Sequence, residues 1–146
     1  MSFRVERVSF VDAEEAIRLV RQAVFVIEQK VPIELEWDGS DRVCQHVVAW
    51  DEQENPIGTG RLTPEDHIGR MAVLESWRGR GVGHALMQEL MQVAFEQGRP
   101  SLALNAQTYA VPFYERYGFV AEGEEFMEAG IPHRRMVLRE LAPSRR

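Results

Sequence analysis

The sequence predicts an α/β domain: a mixed, mostly antiparallel sheet with a central parallel strand pair, flanked by helices. Three observations carry that expectation. Short alternating or continuous apolar runs recur along the chain, as half-buried and buried strands require. Two longer stretches, Ala16 to Ile27 and His84 to Gln97, repeat apolar residues at helical spacing instead. Mid-chain, a strand is followed by a glycine-rich loop, the second of these helices and another strand, and strands joined by a helical crossover lie parallel. The chain of 146 residues fits one domain, 1–146, and is long enough to bury a core.

Taken in order, Phe3 to Phe10 alternates through Phe3, Val5, Val8 and Phe10 as a first strand. Asp12 and Glu15 then form a D-x-x-E start for a helix carrying Ala16, Ile17, Val20, Ala23, Val24 and Ile27, with Pro32 as its exit. Glu34 to Asp41 reads as an acidic loop turning at Asp38-Gly39. Gln45 to Trp50 and Ile57 to Leu62 form a hairpin across DEQENP, and His67 to Leu74 is the next strand. The helix over His84 to Gln97 stops at Gly98. Ser101 to Asn105 is a strand, and Ala110 to Tyr117 a short helix with Pro112 in its first turn and Gly118 past its end. Phe119 to Glu122 and Arg135 to Glu140 close the sheet.

Composition narrows the function classes. With 45% hydrophobic and 27% charged residues the chain is an ordinary globular sequence rather than a disordered one. Its net charge of −6 lacks the basic footprint of a nucleic-acid or anionic-membrane binder, and Arg134-Arg135 and Arg145-Arg146 are too few and dispersed to supply one. Neither a signal-peptide core nor a run of about 20 apolar residues is present. The lone Cys44 reads as a small buried hydrophobe; it permits no internal disulfide and joins no zinc-ligand cluster. A cytoplasmic, metal-free protein is expected.

The chemistry-bearing stretch is ESWRGRGVGHALM, Glu75 to Met87. It joins a strand to a helix start, where unpartnered N–H groups and the helix dipole favour an anion. Glycines let successive N–H groups converge on one oxygen cluster, and Arg78 and Arg80 add charge. Gly83 is followed by His84 rather than the Lys-Ser/Thr of a P-loop, and the third glycine of a dinucleotide fingerprint is replaced by the same His84. On spacing alone, a pyrophosphate cradle and a flexible basic turn both stay open.

Arg78-x-x-Gly81-x-Gly83, following Ile68 to Val73, resembles the Q/R-x-x-G-x-G/A signature of the GNAT N-acetyltransferases. SLALNAQ (Ser101 to Gln107) and AVPFYERYGFV (Ala110 to Val120) resemble the next strand and helix of that family. VFVIEQKVP (Val24 to Pro32) and FMEAGIPHRRM (Phe126 to Met136) are similar to its small bacterial YjcF-like and ElaA-like branch. The resemblance spans nearly the whole chain.

It implies acetyl-CoA as co-substrate, with the pantetheine arm in a gap beside Met71, Ala72 and Val73. Arg78, Gly79, Arg80, Gly81, Val82, Gly83 and the N–H of His84 would hold the pyrophosphate, and Asn105 would contact the cofactor or cap a turn. The N–H of Met71 or a neighbour would polarise the thioester carbonyl. Tyr114 would protonate the departing thiolate, with Tyr109 and Tyr117 as rivals. The family's strand glutamate is missing from Ile68-Gly69-Arg70-Met71, which leaves Glu28 and His133 as candidate bases. Arg70 would bind an anionic substrate group or pair with a sheet neighbour. Glu34, Glu36, Asp38 and Asp41 read as a solvated loop, or as an attractor for a cationic acceptor.

The reading is therefore direct acetyl transfer to an amine, on a small molecule or a peptide, with a homodimer compatible with the resemblance. A non-catalytic acyl-CoA-binding module is the alternative.

Overall fold

The structure is a computed structural model that describes residues 2–141. Arg145 and Arg146 lie outside the described residues. Its elements are β1 (Phe3–Val8), α1 (Phe10–Arg21), a π-helical segment (Gln22–Glu28), α2 (Ile33–Glu36), a short 3₁₀ turn (Asp41–Val43), β2 (Gln45–Asp51), β3 (Pro56–Leu62) and β4 (His67–Val73). After a 3₁₀ turn (Glu75–Trp77) come α3 (Val82–Glu96), β5 (Leu102–Gln107), α4 (Val111–Glu115), β6 (Val120–Glu128) and β7 (Ile131–Leu138). The strands form one sheet in the order β1-β2-β3-β4-β5-β7-β6. Only β4 and β5 pair in parallel, as the helical crossover through α3 demands.

Helix α3 buries Leu86, Leu90, Val93 and Ala94 against Ile57, Leu62, Leu102 and Leu104 of the sheet. The approach is close because β3 presents glycine: a Cβ on Gly60 would stand 2.5 Å from Met71 Sδ and 2.9 Å from Leu90 Cδ1. On the opposite face, Ile17 of α1 packs with Val48, and Val20 and Val24 pack with Ala72. No helix among the described residues is long and apolar enough to cross a membrane.

Four expectations need correction. Helix α1 starts two residues before Asp12, because the Ser9 side chain accepts from Asp12 N–H and caps the first turn. The helical pattern past Arg21 is a π-helical segment, in which Gln29 N–H reaches back five residues to Val24 C=O. The wider turn sends Glu28 and Gln29 to two different partners across the fold, Arg78 and Gln107.

The third correction concerns the acidic loop. Glu36 and Asp41 are buried at 3% and 5% exposure. Both are gripped by Arg21, itself 1% exposed: its Nε lies 2.6 Å from Glu36 Oε1 and its Nη1 2.7 Å from Asp41 Oδ1. Arg61 on β3 adds bonds to Asp41 (2.9 Å) and Asp38 (2.6 Å). Arg70 donates to Asp38 and to the carbonyls of Leu35 and Glu36, so it pairs with this loop rather than with a sheet neighbour. The segment is thus an internal ion network; Glu34 alone of the four acids is unpaired and solvated among the described residues.

The closing hairpin is longer than the apolar pattern indicates. The β6–β7 register shifts between Glu122 and Phe126, where Gly123 adopts φ +75°, so the alternation is interrupted. A two-residue turn, Ala129-Gly130, has positive φ at both positions, as a tight hairpin requires. This turn sets Glu128 and His133 on adjacent strands.

Candidate active site

β4 and β5 pair only through His67 with Ala103 and Ile68 with Leu104, while β4 stays on β3 as far as Val73. Beyond Ile68 the two parallel strands diverge. The cause is a bulge: the β3–β4 register shifts between Thr59 and Arg61, and Arg70 takes φ +50°, a strained value for a non-glycine residue. A cleft of about 570 Å³ opens in the gap. Met71, Ala72, Val73, Arg78, Asn105, Tyr114 and His133 all line it.

In an antiparallel ladder, successive residues turn their backbone groups to opposite neighbours. Leu74 N–H bonds Ile57 C=O on β3, so the groups of Val73 face the cleft. The Val73 carbonyl indeed accepts from Arg78 Nε at 3.0 Å. Ala72 is buried with Val20 and Val24 and gives the cleft wall its apolar backing.

Of the glycine loop, Arg78 lines the cleft, whereas Gly79, Arg80, Gly81, Val82, Gly83 and His84 follow it in sequence without lining it. Gly79 (φ +75°) and Gly81 (φ +86°) occupy the left-handed region, which side chains disfavour, and Gly81 caps α3. Ala85 N–H makes the first helical bond, to Gly81 C=O, so the N–H groups of Val82, Gly83 and His84 have no intrahelical acceptor. A Cβ on Gly83 would meet Phe113 at 3.6 Å and Val73 Cγ2 at 3.9 Å, both ordinary contacts, so neither conformation nor packing demands glycine there. The Val82 side chain is core, leaving only its backbone for a ligand. Arg80 Nε donates to Ser76 C=O with the guanidinium 5.8 Å from the Trp77 ring. The exposed His84 ring lies 2.7 Å from the Tyr117 hydroxyl.

Arg78 is occupied. Its two terminal nitrogens reach the Glu28 carboxylate at 2.7 and 2.6 Å, a bidentate pair. The hydrogen bond to Arg78 holds the Glu28 carboxyl below its usual range. Glu28 does not itself line the cleft; it grips the arginine that does.

Tyr114 packs edge-on to Phe113 at 5.0 Å, on the wall supplied by α4. Burial, and secondarily the neighbouring Tyr109 and Tyr117, push its pKa up, so the hydroxyl stays protonated well above neutral pH. Among the described residues that hydroxyl has no hydrogen-bond partner. Tyr117, pushed up to about 12 by burial, is engaged with His84, and Tyr109 is 78% exposed.

His133 is 6% exposed and stacks on Phe126. Its Nδ1 lies 2.7 Å from Ile131 C=O, and since a carbonyl only accepts, that nitrogen carries the proton. Asn105 Nδ2 donates to Glu128 Oε1 at 3.3 Å rather than capping a turn. The residues that sequence reasoning missed are Glu128 and His67, both lining the cleft. Burial, then the charge of Arg135, lowers the His67 pKa and keeps its ring neutral. Glu128 lies within FMEAGIPHRRM, five residues before His133, and only the hairpin register brings the two together. Cys44 is buried, its thiol pKa is raised by burial, and it donates to Ser40 C=O, so it lacks nucleophilic character. No group of three or more metal-ligating side chains is found among the described residues.

Comparison with known proteins bears on the fold and the family. Residues 19–140 match the family profile described as Acetyltransferase (GNAT) domain. The Bacillus subtilis protein named as the uncharacterized N-acetyltransferase YjcF is 44% identical over 81% of this chain and 86% of its own. The crystal structure of an acyl-CoA N-acyltransferase from Pseudomonas aeruginosa superposes with a TM-score of 0.84 at 33% identity, over 94% of this chain and 99% of that one. Escherichia coli ElaA superposes at 0.83 and 27%, with the same coverage. The chain belongs to the GNAT acetyltransferase family and has its acyl-CoA N-acyltransferase fold.

Proposed function

We propose that this protein transfers an acetyl group from acetyl-CoA to an amine by direct attack of the amine on the thioester. The observation that carries the reading is the gap between β4 and β5, which opens beside a glycine-capped helix N-terminus and is walled by Tyr114. One end offers backbone N–H groups to a pyrophosphate, and the middle offers strand edges to an amide-bearing arm. Gly83 is consistent with this use, since its bare backbone leaves room for a ligand at the helix start.

The co-substrate brings an activated thioester. Val73 pairs with the pantetheine arm once Arg78 leaves its carbonyl, and the N–H of Met71 faces the thioester oxygen as it gains charge. Arg78, Gly79, Arg80 and Gly81, with the N–H groups of Val82, Gly83 and His84, surround the phosphates. Asn105 borders the reacting end. His133 Nε2, left as a lone pair by the Nδ1 bond to Ile131, takes a proton from the acceptor. The amine nitrogen bonds the acetyl carbon, the C–S bond breaks, and Tyr114 gives its proton to the thiolate. The nitrogen, which still carries one proton too many after the attack, gives it up to the Tyr114 phenolate by way of solvent as the amide forms, and the His133 imidazolium returns the first proton to solvent. Glu28 fits this scheme poorly as a base because Arg78 occupies its oxygens. The buried, inert Cys44 speaks for direct attack over an acyl-enzyme.

Calorimetry tests the donor: saturable binding of CoA and acetyl-CoA is expected, with none for ATP or NAD. Binding of ATP or NAD but not CoA would overturn the proposal. Tight CoA binding without turnover of any amine would favour a non-catalytic acyl-CoA-binding module.

A further inference from the structure

Glu128 is the carboxylate for which the strand β4 has no equivalent. It ends β6, faces Ile131 across the Ala129-Gly130 turn, and is half-exposed at the wall of the cleft. Its Oε1 accepts from Asn105, just beyond the point where β4 and β5 part. Its Oε2 stands 3.6 Å from His133 Nε2, the nitrogen left without a proton in the neutral ring. Two acceptors face each other at that separation, too far for a direct hydrogen bond and open to a donor about 2.9 Å from both. An ammonium N–H meets that requirement.

We infer that Glu128 and His133 form a carboxylate–imidazole couple that receives the acceptor as an alkylammonium ion, Glu128 holding the charge while His133 Nε2 takes the proton. The inference rests on the acetyl-transfer reading and specifies its substrate class: an amine that arrives protonated, rather than an arylamine that arrives neutral. The N–H bond of the ammonium breaks, the proton settles on Nε2, and the free amine keeps the electron pair with which it attacks. The imidazolium then lies beside a carboxylate, where its charge is stabilised. The groups facing the couple are few. Asn105 of β5 is a neutral donor, and His67 of β4 senses the charges of Glu128, Arg135 of β7 and Arg61 of β3. Phe126 of β6 covers one face of the imidazole.

The test uses the whole chain and reads the couple in two ways. Nitrogen-15 NMR of labelled histidine follows His133 against pH in the wild type, Glu128→Gln and Glu128→Asp, with His133→Gln as the assignment control. The wild type is expected to show the Nδ1–H tautomer, and Glu128→Gln to lower the His133 midpoint, with partial recovery in Glu128→Asp. In parallel, kcat/KM against pH is measured with the fastest alkylamine of a panel: phenethylamine, spermidine, glucosamine and a lysine tripeptide. Glu128→Gln should move the acid limb down with the midpoint and cut kcat/KM about tenfold or more, while KM for acetyl-CoA holds. An unmoved midpoint and limb, or the Nε2–H tautomer, would overturn the couple. Absence of turnover by the wild type would instead sink the acetyl-transfer reading, and the NMR titration would still decide the couple.

Discussion

Arg21 sits on the apolar stripe of α1, among Ile17, Val20 and Val24, and its charge is spent entirely inside the protein. Removing one partner from a buried ion network leaves the others charged and unpaired, which costs more than the network contributes in net stability. Arg21→Ala is therefore expected to lose about 3–5 kcal/mol in denaturant unfolding; a loss near zero would show the network to be dispensable. The network also sets an acid limit. Burial alone would raise the Asp41 carboxyl, but its bonds to Arg21 and Arg61 outweigh burial and hold it below its ordinary range. Asp38 is lowered too, chiefly by Arg61. A depressed carboxylate contributes stability that is complete above its unfolded value of about 3.9 and is lost as pH falls through the folded value. Glu36, raised by burial, acts in the opposite sense and favours the folded state at low pH. Thermal melts of Asp41→Asn should thus fall less steeply than the wild type's below about pH 4. None of this was legible from ELEWDGSD, because a run of acids looks solvated until the arginines that neutralise it are located. The one available sign was an arginine on the helical face shared by Ile17, Val20 and Val24.

At the scale of elements, the π-helical segment ties the two sides of the cleft. Gln29 bonds Gln107 of β5, and Glu28 grips Arg78 of the glycine loop. Arg78 thus covers both the Glu28 carboxylate and the Val73 carbonyl. Glu28→Gln should release the arginine for phosphate and tighten acetyl-CoA binding roughly two- to fivefold in calorimetry; weaker binding would contradict the arrangement. The elements that the sequence shows plainly are those whose local chemistry is unambiguous. Gly81 and Gly98 bracket α3, and the apolar spacing between them admits only a helix. The hidden elements each contain a deviation from periodicity: the π turn after Arg21, the bulge at Arg70 and the Gly123 bulge in β6. Two of these three line or anchor the cleft, so the pattern fails close to the site.

At the scale of the molecule, the sequence suggests residues for the proposed cofactor because its demands fall on backbone, and glycine is the one residue type that advertises backbone. The proton-transfer side was less so. His133 was legible as a candidate, whereas Glu128 depends on a hairpin register that no local pattern encodes. The end of the cleft proposed for the acceptor is lined from β4, β5, β7 and the end of β6 together, and only the folded sheet assembles it.

The central claim is that Tyr114 serves acetyl transfer in this cleft, and thiol release from acetyl-CoA across the amine panel tests it most directly. Wild type should release CoA in step with acetylated amine. Tyr114→Phe should lower kcat by about 10²–10⁴-fold and leave acetyl-CoA binding by calorimetry largely unchanged. Equal turnover by the two proteins would contradict the account.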